Sequence, residues 1–237
     1  MGKSLARMAA IFLFVSFSSG SWAAELESFS AISSSLAPYG RYSKDHIWTE
    51  THKVDVCWDN LSAVSPDRLT IVRNAVAESW ESAGNIEFKG WQACASDTQR
   101  GIHVYWLDDG SPPETKGVGT RLNGILHGVI LNPAYTKWGN EHCGPRVSQC
   151  IKSDAIHEFG HVLGLLHESL RDDAPSSCKN LPQVQADHSD VGDATDGTTG
   201  YDADSVMNYC NKMQGISTLL SRGDQQVIAI MYGNPLK

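Results

Sequence analysis

The spacing of hydrophobic residues predicts a strand followed by a helix early in the patterned part of the chain. Residues 52–58 alternate between apolar and polar side chains, which is the period of a β-strand. Residues 65–84 instead place four large apolar side chains on one helical face: Leu69, Val72, Val76 and Trp80. Ser65 could cap this helix, Pro66 suits its first turn, and Gly84 would end it.

The segments that follow predict three further strands. Residues 85–91, 101–107 and 125–132 are short runs rich in β-branched and aromatic side chains. Residues 111–124 are rich in Gly and Pro, so we predict a loop between the last two strands.

Beyond these strands the chain changes between helical and irregular character. The apolar segment that begins at residue 155 is predicted to be a helix, whereas residues 171–205 carry many Asp, Gly, Ser and Thr residues and little periodicity. A last helix is predicted from a Ser221 cap to Gly233. The pattern as a whole predicts a mixed α+β fold, with a sheet and long helices followed by a smaller irregular C-terminal lobe.

The N-terminus has the features of a secretory signal peptide. Lys3 and Arg7 precede a short apolar run, and small residues follow up to Ala23. The run is shorter than the roughly 20 apolar residues that a membrane span needs. We therefore predict a signal peptide over 1–23, a Ser-rich arm or short pro-segment over 24–45, and a domain over 46–237. The mature protein is expected outside the cell or in the periplasm, without a membrane partner.

Charge and cysteine content narrow the function classes further. The formal net charge is −8, which argues against a nucleic-acid partner because such proteins carry a basic stripe. An even number of cysteines in an exported chain predicts disulfides. Their connectivity is open from sequence, and we predict sequential pairing: Cys57–Cys94, Cys143–Cys150 and Cys178–Cys210. None of these cysteines has the Cys-x-x-Cys spacing of a thiolate zinc site.

Three histidines and a glutamate suggest metal chemistry. On a helix, His157 and His161 lie one turn apart on the same face and can share a zinc ion at about 2.0–2.1 Å. Gly164 would let the chain turn so that His167 approaches the same ion, although simple packing explains this glycine equally well. Three imidazoles leave a fourth zinc position open for water, from which Glu158 could take a proton.

These residues resemble a known signature. Residues 157–167 read H-E-F-G-H-V-L-G-L-L-H, which is similar to the extended zinc motif H-E-x-x-H-x-x-G-x-x-H of the metzincin metallopeptidases. Residues 205–209 read S-V-M-N-Y and resemble the methionine turn of that clan. Glu168 after the third histidine, together with Tyr209 in the turn, makes the chain most similar to the astacin family. The astacin pro-segment motif Phe-x-Gly-Asp is not found near the N-terminus.

The resemblance implies a zinc endopeptidase acting on proteins or peptides, with lobes of about 46–167 and 168–237 and zinc in the cleft between them. It implies these metal ligands: His157, His161, His167 and Tyr209. Glu158 would be the catalytic base, and Tyr209 would also act in catalysis by a hydrogen bond to the oxyanion. Met207 would form an apolar floor beneath the histidines. Substrate would pair with an edge strand, for which residues 126–132 are in position.

Other features leave alternatives open. By resemblance, Glu168 would hold either the mature N-terminus or a nearby arginine, and Arg171 is expected in a salt-bridge network. An acidic cluster could bind calcium, with a solvated loop as the alternative: Asp187, Asp190, Asp193, Asp196, Asp202 and Asp204. A zinc-binding protein without activity and an amidase acting on peptidoglycan or a small amide are the competing functions. The sequence leaves the oligomeric state open.

Overall fold

A five-stranded sheet forms the centre of the fold. The computed structural model describes residues 40–48, 52–137, 143–186, 194–197, 199–212 and 215–235. Its strands are β1 (Arg41–Ser43), β2 (Lys53–Trp58), β3 (Glu87–Ala93), β4 (Ile102–Trp106), β5 (Glu114–Thr115), β6 (Val129–Leu131) and β7 (Ala194–Asp196). The central sheet has the order β3-β2-β4-β6-β5, in which only β5 runs antiparallel to its neighbour. The strands predicted at 52–58, 85–91 and 101–107 are therefore confirmed.

Two long helices supply much of the core that packs with this sheet. The described helices are α1 (Pro66–Val76), α2 (Val147–Val162), α3 (Ser176–Lys179), α4 (Pro182–Gln185) and α5 (Arg222–Tyr232). The predicted stripe on α1 continues into a π-helical turn, Ala77–Glu81, and all its members but the partly buried Leu69 are buried. Trp80 also donates a hydrogen bond from Nε1 to the Ile156 carbonyl at 2.8 Å, which joins this region to α2. The mixed α+β prediction is confirmed.

Ser65 stands at the start of α1, but the predicted side-chain cap is wrong. No side-chain hydrogen bond caps the helix there, and the Ser65 carbonyl instead accepts one from Arg68 N at 3.1 Å. Pro66 occupies the first turn as expected, where its missing N–H costs the helix nothing. Ser221 does cap α5, because its hydroxyl accepts from Asp224 N and the Asp224 carboxylate accepts from Ser221 N.

The region between β4 and α2 differs from the sequence-based prediction. The loop predicted over 111–124 contains β5, and the strand predicted over 125–132 is reduced to β6. The chain bends before β6 because His127 has a left-handed backbone (φ 53°) and donates its N–H to Asp59 Oδ2 at 2.9 Å. The expected edge strand at 126–132 is also wrong, since β6 lies between β4 and β5 and β5 is the last strand.

Residues near the end of the predicted N-terminal arm belong to the folded domain. β1 pairs antiparallel with β7, and Arg41 forms an ion pair with Asp196 at 2.5 Å. Ser43 N donates to the Gly164 carbonyl at 2.9 Å, so β1 also contacts the segment after α2. The domain therefore includes residues that precede the predicted boundary at residue 46. The predicted signal peptide lies outside the described residues.

Three disulfides join the chain in the sequential pattern that we predict: Cys57–Cys94, Cys143–Cys150 and Cys178–Cys210. The first links β2 to the chain after β3, and the second ties the start of α2 to the preceding turn. The third ties α3 to the segment after the predicted methionine turn. Within the described ranges, no helix has the length and apolar character needed to cross a membrane.

Candidate active site

Helix α2 and the turn after it bring the three predicted histidines together. His157 and His161 lie one helical turn apart, with ring centroids separated by 4.9 Å. The helix ends at Val162, and Gly164 follows with φ 93°, a conformation that glycine adopts without a steric penalty. This reversal returns His167 to the first two rings, so backbone conformation, rather than packing alone, explains the glycine.

The Nε2 atoms of the three rings converge on one point. His167 Nε2 lies 3.2 Å from His157 Nε2 and 3.0 Å from His161 Nε2. A tetrahedral zinc ion about 2.0–2.1 Å from each nitrogen requires nitrogens about 3.3–3.4 Å apart. The observed separations are close to this value, so the cluster fits a single small metal ion.

At His157 and His161, a hydrogen bond at the opposite ring nitrogen favours the tautomer that metal binding needs. His157 Nδ1 lies 2.8 Å from the Val206 carbonyl oxygen, and His161 Nδ1 lies 2.8 Å from the Leu165 carbonyl oxygen. A carbonyl oxygen can only accept, so each Nδ1 must carry the proton and donate it. Each neutral ring then presents a lone pair at Nε2, which is the arrangement of histidine ligands in zinc proteins.

Glu158 is buried next to this cluster. It is 5% exposed, and its Oε2 atom has no hydrogen-bond partner in the described part of the chain. Burial raises the pKa of Glu158 well above its usual value, and the negative charges of Asp154 and Glu114 raise it further. The side chain is thus a carboxylate whose proton affinity is increased by its surroundings.

The segment predicted to be a methionine turn passes beneath the histidines. Met207 is 2% exposed, and its sulfur lies where a side chain at Gly160 of α2 would have to fit. Asp224 holds the turn, since its carboxylate accepts from the Ser205 hydroxyl at 2.7 Å and from Val206 N at 2.9 Å. Met207 therefore packs under the helix turn that carries His157 and His161.

Tyr209 lies beside the histidine cluster at the end of the same turn. Its ring centroid is 4.2 Å from that of His167 and 6.0 Å from that of His157. The structure thus brings all the sequence-predicted site residues into one place: His157, Glu158, His161, His167 and Tyr209.

Comparison with known proteins bears directly on this arrangement. Residues 146–230, which include the histidine cluster and the methionine turn, match the model of the peptidase family Astacin. This part of the chain is therefore similar to the astacin family. No curated protein sequence matches it.

Solved structures support the astacin-like fold. A structure of myroilysin superposes with a TM-score of 0.57 at 19% identity, over 83% of this chain and 100% of that one. High choriolytic enzyme 1, a hatching enzyme zinc-protease from the medaka fish Oryzias latipes, gives a TM-score of 0.52 at 16% identity, over 81% of this chain and 97% of its own. These identities are low, so the similarity concerns the course of the backbone.

In this astacin-like chain, Glu168 contacts a neighbouring arginine, one of the two partners that the resemblance implies. Glu168 Oε1 lies 3.4 Å from Arg171 Nε and accepts from Asp202 N at 2.8 Å. Arg171 also pairs with Asp173 at 2.8 Å, in agreement with the salt-bridge network predicted for it, and donates to the Gly40 carbonyl at 2.9 Å. Burial raises the pKa of Glu168 to about 7 despite these contacts.

The acidic cluster considered for calcium is partly described. Asp187, Asp190 and Asp193 lie outside the described residues. Asp196 pairs with Arg41, while Asp202 accepts hydrogen bonds from the Ser221 hydroxyl at 2.6 Å and from Asp204 N at 3.0 Å. These contacts are made within the chain, and calcium binding stays a prediction.

The structure places two carboxylates near this site that sequence reasoning missed, those of Asp154 and Glu114. The Tyr135 hydroxyl donates to the Asp154 carboxylate, which lies one helical turn before Glu158. Glu114, on β5, lies close enough for its charge to act on Glu158. Helical spacing alone could have indicated Asp154, because residues four apart share a face. No sequence signal indicated Glu114, since its segment was predicted to be a loop.

Proposed function

We propose that this astacin-like protein is a secreted endopeptidase that hydrolyses peptide bonds in proteins or peptides with the aid of zinc. The match to the peptidase family supports the reaction class. The observation that carries the proposal is the convergence of three histidine Nε2 atoms beside a buried glutamate with an unpartnered oxygen.

The residue roles follow from this geometry and from the astacin resemblance. His157, His161 and His167 would hold one zinc ion, with Tyr209 as a further ligand. When bound, zinc would lower the pKa of a coordinated water far below that of bulk water, toward about 7, and would polarise the substrate carbonyl.

Glu158 is the proposed base. It accepts the proton of the attacking water and passes it to the nitrogen of the leaving amine. The burial that raises the pKa of Glu158 also strengthens its affinity for the proton that it accepts. Tyr209, whose ring lies against His167, donates a hydrogen bond to the oxyanion that forms from the carbonyl oxygen.

Strand β5 is the proposed binding edge for the substrate backbone. It is the last strand of the sheet, so its outer edge pairs with no other described strand, and it packs against α2. Main-chain hydrogen bonds to such an edge give affinity with little demand on side chains. This assigns to β5 the role that the sequence suggested for residues 126–132.

Export is proposed on separate grounds. Residues 1–23 would be removed as a signal peptide, and residues 24–45 would be an arm or short pro-segment whose last part, Arg41–Ser43, pairs with the domain as β1. The three disulfides support an oxidising location, extracellular or periplasmic. Mass spectrometry of the exported protein should find a mature N-terminus near Ala23 or Ala24. A chain that retained residues 1–23 would contradict the proposal.

Glu158→Gln is the decisive test of the reaction. The variant should keep zinc, measured by elemental analysis, and lose about 100- to 10,000-fold in turnover of casein, because it lacks the base. Glu78→Gln, an exposed glutamate that pairs with Lys152, is the matched control and should keep parental turnover. Parental activity in Glu158→Gln would refute the base assignment. A zinc-loaded parent that cleaves no protein would favour a binding protein, and cleavage of peptidoglycan amides alone would favour an amidase.

A further inference from the structure

The proposed substrate-binding edge carries a carboxylate without a cationic partner. Glu114 on β5 is exposed and forms no ion pair with any described residue. The nearest lysine in sequence, Lys116, donates its ammonium group to the Leu126 carbonyl at 3.1 Å instead. The Glu114 charge therefore faces solvent at the edge where substrate would bind.

A second carboxylate increases the negative potential on this side of the cleft. Asp154 lies on α2 one turn before Glu158, and its oxygen accepts from the Tyr135 hydroxyl. Strand β5, which carries Glu114, packs against α2, which carries Asp154, so both carboxylates belong to this side of the cleft. Two carboxylates on one side of a cleft attract a cationic side chain that binds beside them.

Glu158 gives independent evidence that a ligand binds on this side of the cleft. Its Oε2 atom is buried and unpartnered, so a hydrogen-bonding group from outside the described chain is needed to satisfy it. Glu114 therefore lies on a strand that packs against the helix carrying this position.

We propose that Glu114 is a specificity-determining residue that makes the enzyme favour substrates with Lys or Arg at the position pairing beside β5. The inference rests on the proposed peptidase function and deepens it by naming the substrate class. An opposite charge across a strand pair is favourable and a like charge is unfavourable. The Asp154 carboxylate accepts a hydrogen bond from the Tyr135 hydroxyl, so we assign it a contribution to the negative electrostatic potential and no contact with the substrate.

The test compares peptides that differ at a single position. A cleavage library first locates the subsite with the strongest cationic preference, and matched peptides with Lys, Gln or Glu at that subsite are then assayed for kcat/KM. The parent should prefer Lys over Gln, and Glu114→Gln should reduce this ratio by about two- to fivefold. Glu114→Lys should invert the order so that the Glu peptide is cleaved faster than the Lys peptide. The parental preference should also weaken at about 1 M salt, where screening shortens to about 3 Å.

Glu87→Gln is the matched control. Glu87 is an exposed glutamate on β3, at the opposite edge of the same sheet, and should leave the Lys-to-Gln ratio at its parental value. Zinc content and thermal unfolding check that the Glu114 variants are folded, which their exposed position favours. An unchanged ratio in both Glu114 variants, with active enzymes, would overturn the specificity proposal while leaving the peptidase function intact. A folded, zinc-loaded parent that cleaves no peptide would refute the function itself, and the inference with it.

Discussion

Asp154→Asn should stabilise the protein at alkaline pH and have little effect at acidic pH. Burial raises the pKa of Asp154 from 3.8 to about 7, although the hydrogen bond from Tyr135 opposes this rise. The folded protein therefore binds this proton more tightly than the unfolded chain does. Its stability falls as pH rises from about 4 to about 7 and remains reduced above that range, the reverse of the usual carboxylate case.

The size of the effect follows from the same pKa change. Each pH unit between the unfolded and folded pKa values corresponds to about 1.4 kcal/mol, so the full loss is at most about 4 kcal/mol. Asn cannot ionise, yet it keeps an oxygen that can accept from the Tyr135 hydroxyl. We expect Asp154→Asn to be about 2–4 kcal/mol more stable than the parent at pH 8, with the lower figure allowing for partial exposure of the side chain.

The assay is urea unfolding followed by tryptophan fluorescence at pH 4, 6 and 8, with metal removed from both proteins by a chelator. Removing metal prevents pH-dependent zinc binding from masking the carboxyl titration. Asp97→Asn, an exposed aspartate, is the control and should follow the parent at every pH. The reasoning fails if Asp154→Asn differs from the parent by the same amount at pH 4 and pH 8, or is the less stable protein at pH 8.

Three further predictions concern the floor and wall of the site. Asp224→Asn should destabilise the protein by about 1–3 kcal/mol in urea at pH 7, because an amide cannot accept all the hydrogen bonds that the carboxylate accepts; equal stability would show that these bonds are dispensable. Gly160→Ala should lose about 0–2 kcal/mol, since overpacking against Met207 costs about 1–3 and helix propensity returns about 1. Gly144→Ala is its control, because a Cβ at Gly144 would meet no atom within 4 Å. A higher midpoint of thermal unfolding for Gly160→Ala than for the parent would contradict the clash. Tyr209→Phe should keep its zinc and lose roughly 100- to 1,000-fold in kcat, and an unchanged rate would remove this hydroxyl from the mechanism.

The histidine site could be predicted because its geometry is mostly local. His157 and His161 share a helix face by the period of the helix, and Gly164 permits the reversal that His167 needs. The cap at Ser221 was also local and was predicted correctly, while the one at Ser65 was not, because a capping residue type permits a side-chain hydrogen bond without requiring one.

The edge strand could not be predicted because strand order is a long-range property. The apolar run before residue 132 has the composition of a strand, but composition does not say which neighbour lies on each side. β5 consists of two residues in a segment rich in Gly and Pro, and its pairing with β6 makes it a strand. Strand β1 could not be predicted for the same reason, because its partner strand lies more than a hundred residues away in the chain. The sequence pattern assigned its residues to the N-terminal arm.

The sequence by itself determined the mixed fold class and pointed to the proposed ligand set and base, because these depend on residue identity and on spacing within one helix. It left the disulfide pairing open, and the sequential pattern that we predict is the one found. Tertiary structure decided which strand lies at the open edge of the sheet, and which carboxylates surround Glu158. Asp154, Glu114 and Tyr135 come from three separate elements, and their charges and hydrogen bonds act through space. Electrostatic effects depend on distance and burial, which the order of residues along the chain does not specify.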